Sequence, residues 1–259
     1  MDKEKRYQKI LKLLESQTSV SVAELASQLP ASAATIRKDL SILEHRGALI
    51  RSYGGATLAS FPSQKYLSVS LPRAQKIANL ELKEAIAQEA AKLISDNDTI
   101  FIGCGSTFCV FAQHLQHFKN LRVVTTNLNV AYTLASFSHN VYFIGGELME
   151  IDGVYYTGGP KIPYELEKVF VNKAFIGVSG IDLKAGLTIY DLTQLNLYTS
   201  ICKIAHQIIL VSDKTKFGRQ SAHRLGPIKG YLHTVVTNKE IDPSYLRAME
   251  QMGIEIVTA

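Results

Sequence analysis

Within two turns of what the surrounding spacing predicts to be a helix, Thr35, Arg37, Lys38 and Ser41 collect two hydroxyls, a guanidinium and an ammonium. A guanidinium presents paired N–H groups that match the two acceptors of a guanine edge or a phosphate. An ammonium is a point charge suited to phosphate, and a hydroxyl serves either partner. Ser32 and Ala34 stand beside them, small enough for a close approach. A second polar group follows at Arg51, Tyr53 and Gly54, with Arg51 placed to reach a phosphate. A third, Gly103-Cys104-Gly105-Ser106-Thr107, offers N–H groups and hydroxyls that either cradle a phosphate at the start of a helix or only make a tight connection.

The first two groups need a scaffold, and the N-terminal spacing supplies one. Tyr7, Ile10, Leu11 and Leu14 recur at helical intervals, which predicts a helix from about Lys3 to Ser16. Ser21 and Glu24 have capping-box spacing ahead of Val22, Leu25, Ala26 and Leu29, and this second helix stops near Pro30. After that short turn Ser32 caps a third helix, which gathers Ile36, Leu40 and Leu43 on one face and Ala34, Arg37, Lys38 and Ser41 on the other. Two short strands about the paired glycines Gly54-Gly55 then make a wing. These pieces predict a winged helix-turn-helix with the third helix in the major groove of DNA.

This segment resembles the N-terminal domain of the DeoR family of bacterial transcriptional regulators. The resemblance rests on Thr35-Ile36-Arg37-Lys38-Asp39-Leu40, the Leu43-Glu44 pair, and the wing from Arg51 through Tyr53 to Gly54-Gly55. The family usually has a second Arg where Lys38 stands, which makes Arg37 the expected base reader and Lys38 a phosphate contact.

Farther along, apolar runs at 99–102, 121–125, 141–144, 174–178, 208–211 and 234–237 alternate with helical spacing that begins with 82–94. Such a pattern predicts an α/β domain with a mostly parallel sheet covered on both faces, whose ligand site lies at the carboxyl ends of the strands. Those ends hold Gly103 to Thr107, Thr126-Asn127, Gly145-Gly146, Gly180 with Asp182, and Asp213 through Lys216. The order is similar to the DeoR family's C-terminal effector domain, a Rossmann-like fold shared with ribose-5-phosphate isomerase. That likeness implies effector contacts at Gly103, Cys104, Gly105, Ser106, Thr107, Thr126, Asn127, Gly146, Asp182, Asp213 and Lys216. Members commonly begin the glycine loop with Asp-Ser and carry Glu-x-Lys after Gly-Leu-Thr. This chain has Gly103-Cys104 and Asn196-Leu197-Tyr198. An isomerase needs a positioned general base, and replacing those carboxylate and amine positions favours a regulator over an enzyme. Cys104 reads as a small buried thiol.

The expected organisation is therefore a DNA-binding domain at 1–58, a Ser- and Pro-containing linker at 59–76, and an effector-binding and oligomerisation domain at 77–259. A formal charge of +5, with nine Lys and Arg against six Asp and Glu through Leu58, suits a polyanion partner. No apolar run approaches membrane-spanning length and Met1 to Arg6 is unlike a signal peptide, so the expected location is the cytoplasm. Cys104, Cys109 and Cys202 show neither metal-ligand spacing nor a disulfide framework, His114 and His117 lack a third ligand, and no Gly-x-Ser-x-Gly elbow is present. Gly103-x-Gly105-x-x-Phe108 lacks the acidic partner of a dinucleotide site. The resulting expectation has no cofactor, no metal and no catalytic residue. It is a regulator, most simply a repressor, that binds an operator duplex as a homodimer or homotetramer and is released by a phosphorylated sugar, sugar alcohol or sugar acid. Two other classes fit the outline: a sugar-phosphate isomerase with an accessory DNA-binding domain, and a DNA-binding protein whose C-terminal domain only oligomerises.

Overall fold

The computed structural model describes residues 3–17, 19–45, 49–52, 54–58 and 77–259. The chain divides into two compact units, Met1–Ser70 and Leu71–Ala259. The 59–76 segment read as a linker lies outside the described residues.

The first unit runs α1 (Lys3–Ser16), β1 (Val20–Ser21), α2 (Val22–Gln28), α3 (Ala33–His45), β2 (Leu49–Ser52) and β3 (Gly55–Leu58). The helical spacing of its apolar residues sets its core: Tyr7, Ile10 and Leu14 from α1 meet Val22 and Leu25 from α2 and Ile36, Leu40 and Leu43 from α3. Leu11 and Ala26 only border that core. The capping box forms as the spacing predicts: Ser21 Oγ accepts from the Glu24 N–H at 3.1 Å, while the Glu24 carboxylate accepts from the Ser21 N–H at 2.7 Å. That backbone bond, aided by the Ser21 hydroxyl, lowers the Glu24 pKa. At the start of α3, Ser32 Oγ accepts from the Thr35 N–H at 3.2 Å. The hairpin is larger than its spacing suggests, because β1 pairs antiparallel with β3 to give the order β1-β3-β2. Two residues are too short a strand to show period-2 alternation.

The second unit contains α4 (Leu80–Ala91), β4 (Thr99–Ile102), α5 (Ser106–Gln113), β5 (Arg122–Thr125), α6 (Leu128–Ser136), β6 (Asn140–Phe143), β7 (Glu147–Ile151), β8 (Val154–Gly158), α7 (Ile162–Leu166) and β9 (Val171–Ile176). It continues with β10 (Gly180–Asp182), β11 (Gly186–Ile189), α8 (Leu192–Ile204), β12 (Ala205–Val211), β13 (His223–Gly226), β14 (Thr234–Thr237), α9 (Pro243–Gln251) and β15 (Glu255–Thr258). Seven strands form one parallel sheet in the order β15-β14-β12-β9-β4-β5-β6. Successive side chains point to opposite faces. Ile100 and Ile102 therefore join Ile209 and Val211 under α4, α5 and α6, while Phe101 joins Ile208 and Leu210 under α8 and α9. Burial on both sides is what makes these strands continuous apolar runs.

Differences from the sequence reading are local. The helix expected at 82–94 is α4, which stops earlier because Lys92, Leu93 and Ile94 donate their N–H groups three residues back, tightening the last turn. The antiparallel hairpin β7-β8, the small sheet β10-β11-β13 and the closing strand β15 carry no long apolar run to announce them. Among the described residues no helix is long and apolar enough to cross a membrane, and no cluster of potential metal ligands occurs.

Candidate functional site

Two surfaces gather the residues singled out above, one in each unit. On α3, Ile36, Leu40 and Leu43 are buried, Arg37 and Lys38 are exposed, and Ser41 is half-buried on the same outer side. Ala34 is exposed; Ser32 is exposed and Thr35 half-buried, their hydroxyls 2.9 Å apart at the helix start. Asp39 adjoins the cations in sequence but turns inward. It is 3% exposed and accepts from Arg6 Nε at 2.5 Å and Nη2 at 3.2 Å. This forked ion pair ties α1 to α3 across a sequence separation that hid it from the spacing argument. Arg51 lies on β2 with its exposed guanidinium 4.0 Å from Glu44, and its N–H donates to the same carboxylate at 3.2 Å. Tyr53 lies outside the described residues. Gly54 has φ of +87°, and a Cβ at Gly55 would stand 2.5 Å from the Val20 carbonyl oxygen. One glycine makes the turn and the other admits β1 against β3.

In the second unit a cleft of about 340 Å³ opens at the carboxyl ends of the central strands. Of the eleven residues expected there, Cys104, Gly105, Ser106, Thr107, Asp213 and Lys216 line it. Gly105 to Thr107 carry the chain into α5, whose N-cap Gly105 has no side chain to cap it; the Phe108 N–H bonds back to Gly105 O at 3.1 Å. Asp213 is 1% exposed and caps the 3-10 turn Lys214–Lys216, accepting at Oδ1 from the Thr215 N–H at 2.9 Å and from its hydroxyl.

The other five lie outside the lining, and each has structural work elsewhere. Gly103 donates its N–H to Phe175 O at 2.9 Å, and a Cβ there would come within 2.5 Å of the Tyr198 hydroxyl. The two departures from the family pattern are thus one packing unit: buried Tyr198 occupies the space that a side chain at 103 would need, and its oxygen accepts from the Cys104 N–H at 3.1 Å. Thr126 is fully buried with its hydroxyl 3.2 Å from Cys104 Sγ. Asn127 caps α6 by accepting from the N–H groups of Asn129 and Val130. Gly146 packs against the Gly158 carbonyl at the base of the β7-β8 hairpin. Asp182 turns its carboxylate onto the Ala185 and Lys184 N–H groups of the β10-β11 turn, and these bonds lower its pKa.

The cleft also holds residues that spacing did not reveal. Lys83, on α4, is 7% exposed and donates to Ala78 O at 2.6 Å and Ser106 Oγ at 2.9 Å. Desolvation lowers its pKa, against the opposing pull of the Asp213 carboxylate. Tyr156 of β8 donates to Asp191 at 2.5 Å, and Asp191 caps α8 through the Thr193 N–H at 2.9 Å. Asp152 and Gln194 complete that wall with the exposed Tyr190. A buried lysine between two helices was detectable only as a cation in an otherwise apolar helical stripe. Cys104, as expected, is buried, and burial pushes its thiol up to about 12.

Comparisons with known proteins agree with both halves. Residues 6–61 match the DeoR-like helix-turn-helix domain, and residues 78–239 match the DeoR C terminal sensor domain. The chain is 33% identical to the glycerol-3-phosphate regulon repressor of Escherichia coli (strain K12) across 88% of each chain. It is 32% identical to the lactose phosphotransferase system repressor of Lactococcus lactis subsp. lactis across 97% of each. Among solved structures, ribose 5 phosphate isomerase A from Neisseria gonorrhoeae aligns at TM-score 0.39 and 18% identity over 53% of each chain. With a sensor domain matched across more than half its length behind a matched helix-turn-helix, the chain belongs to the DeoR family.

Proposed function

We propose that this protein is a cytoplasmic, DNA-binding transcriptional repressor of carbohydrate genes, released from its operator by a phosphorylated sugar, sugar alcohol or sugar acid. One observation carries the DNA half: α3 buries Ile36, Leu40 and Leu43 while leaving Arg37 and Lys38 exposed on the opposite side, beside a glycine-tipped wing. In this reading α3 enters the major groove, Arg37 reads a base edge, and Ser32, Ala34, Thr35, Lys38 and Ser41 position the backbone. Arg51, Tyr53 and Gly54 of the wing reach the neighbouring phosphates. The proposed boundaries are 1–58 for this domain, 59–76 for the linker and 77–259 for the effector domain. Two half-sites need two reading heads, so the working form is a homodimer or homotetramer.

The effector reading rests on the cleft, where cations, hydroxyls and a helix N-terminus converge. Gly105, Ser106, Thr107, Asp213 and Lys216 remain its proposed contacts, joined by Lys83. The protein is not an enzyme in this reading, and purified material should show no aldose–ketose interconversion of pentose or hexose phosphates. Selection of bound duplexes from a random library tests the DNA half: the proposal expects an inverted repeat, lost with Arg37→Ala. Enrichment of no sequence, or of the same one by the variant, contradicts it.

A further inference from the structure

Each residue of an α-helix advances about 100° around the axis, so positions two apart, such as Arg37 and Asp39 of α3, stand about 160° from one another. Burial agrees with that geometry. Arg37 is exposed, and Asp39 is 3% exposed. Whatever holds the Asp39 carboxylate therefore sets the direction in which Arg37 points.

Arg6 of α1 holds it. The guanidinium closes a fork on the carboxylate, Nε to Oδ2 at 2.5 Å and Nη2 to Oδ1 at 3.2 Å, and both side chains are largely shielded from water. Beside this pair, α1 and α3 share the apolar cluster of Tyr7, Ile10 and Leu14 with Ile36, Leu40 and Leu43. Apolar burial is non-directional, whereas a planar guanidinium on a carboxylate fixes both a distance and a plane. Stability alone is a poor reason for such a pair, because apolar residues of similar volume often do as well or better. Direction is a better one. A rotation of α3 by about 20° moves a side-chain tip about 5–6 Å from the axis through about 2 Å, and the distance window of an N–H to oxygen bond is about 0.5 Å wide. The fork also keeps an anion off the outer face, since Asp39 adjoins Lys38 and a carboxylate turned outward there would meet phosphates.

We propose that Arg6 and Asp39 are positioning residues for sequence reading: their fork fixes the rotation of α3 and thereby the aim of Arg37 at a base edge. They act through Arg37 rather than on DNA themselves. The proposal rests on α3 as the reading helix and names what aims it.

The test uses the full-length protein, a duplex recovered by wild-type selection from a random library, and a scrambled duplex of equal length. Arg6→Met combined with Asp39→Leu replaces the fork by apolar groups and should leave the melting temperature unchanged or raised. Its preference for the selected duplex over the scrambled one should fall by about tenfold, while affinity for the scrambled duplex and its salt dependence are retained. Adding Arg37→Ala should then cost less than about twofold, against about tenfold in the wild-type background, because a guanidinium already turned from its base has little left to lose. Arg6→Lys keeps the charge without the fork, needs no apolar exchange, and should lose about threefold of the preference. Undiminished preference in either variant, a full Arg37→Ala loss in the doubly exchanged protein, or equal weakening on both duplexes overturns the proposal. A wild-type protein that enriches no duplex removes the reading-helix assignment beneath it instead.

Discussion

Arg37 and Lys38 share a charge, and chemistry separates their tasks. Arg37→Ala should cost about 1–3 kcal/mol of specific operator binding without unfolding the domain, because its side chain is exposed opposite the buried stripe. Lys38→Ala should weaken all duplexes alike and lower the salt slope by about one, as loss of one phosphate contact requires. Unchanged operator affinity in both variants would remove α3 as the reading helix. Asp39 next door shows what spacing conceals. Its place in the motif was plain, but that it faces inward to Arg6 depends on how α1 and α3 pack. Cysteine chemistry gives a pH prediction. Burial raises the Cys104 thiol from 9.0 to about 12, and Cys109 and Cys202 to about 11. Each folded pKa lies above the unfolded one, so the stability these thiols contribute is complete below pH 9.0 and is lost as pH rises toward 11 to 12. Alkylation at pH 8 should accordingly label buried Cys104 only after denaturation, and half-buried Cys109 and Cys202 far more slowly in the native protein than in the unfolded chain. Rapid labelling of Cys104 in the native protein would contradict its burial.

At the scale of elements, the paired glycines of the wing are separable. Gly54→Ala places a side chain at positive φ in open space and should cost about 1–2 kcal/mol. Gly55→Ala drives a methyl into the Val20 carbonyl, so it should cost more and also weaken operator binding by detaching β1 from β3. Chemical denaturation of both variants checks the order; equal losses would show that β1 does not constrain the wing. The glycine pair and the helical stripes were legible because each depends on neighbours in sequence. The buried strands were legible because both their faces are apolar. The β7-β8 hairpin was not, since its burial is partial and its partners are short. It nevertheless supplies Tyr156, and α4 supplies Lys83, so the cleft was half visible: its glycine loop and the Asp213–Lys216 turn could be read, but not the walls that tertiary packing brings to them. Gly103 and Tyr198 had looked like two lost functional positions. They are one contact, and Tyr198→Phe should partly rescue the stability lost in Gly103→Ala, because it deletes the oxygen that a Cβ would strike. Additive losses would mean the two sites act separately.

At the scale of the molecule, the second unit has hydrophobic clusters on both faces of its sheet. A fragment starting near Lys76 should therefore fold and oligomerise without DNA affinity. Light scattering of a monomer, or retained operator binding, would count against that division of labour. Coupling between an operator-reading helix and a ligand cleft is reciprocal: a ligand that weakens operator binding must itself be bound more weakly by the same factor when operator is present. The most direct measurement is an anisotropy titration of labelled operator duplex with full-length protein, with and without a saturating carbohydrate phosphate, paired with calorimetry of that ligand with and without operator. The expected result is equal factors in the two directions, about 5–150-fold, and their loss in Lys216→Ala with operator affinity retained. Operator affinity that is indifferent to every ligand the cleft binds would contradict it.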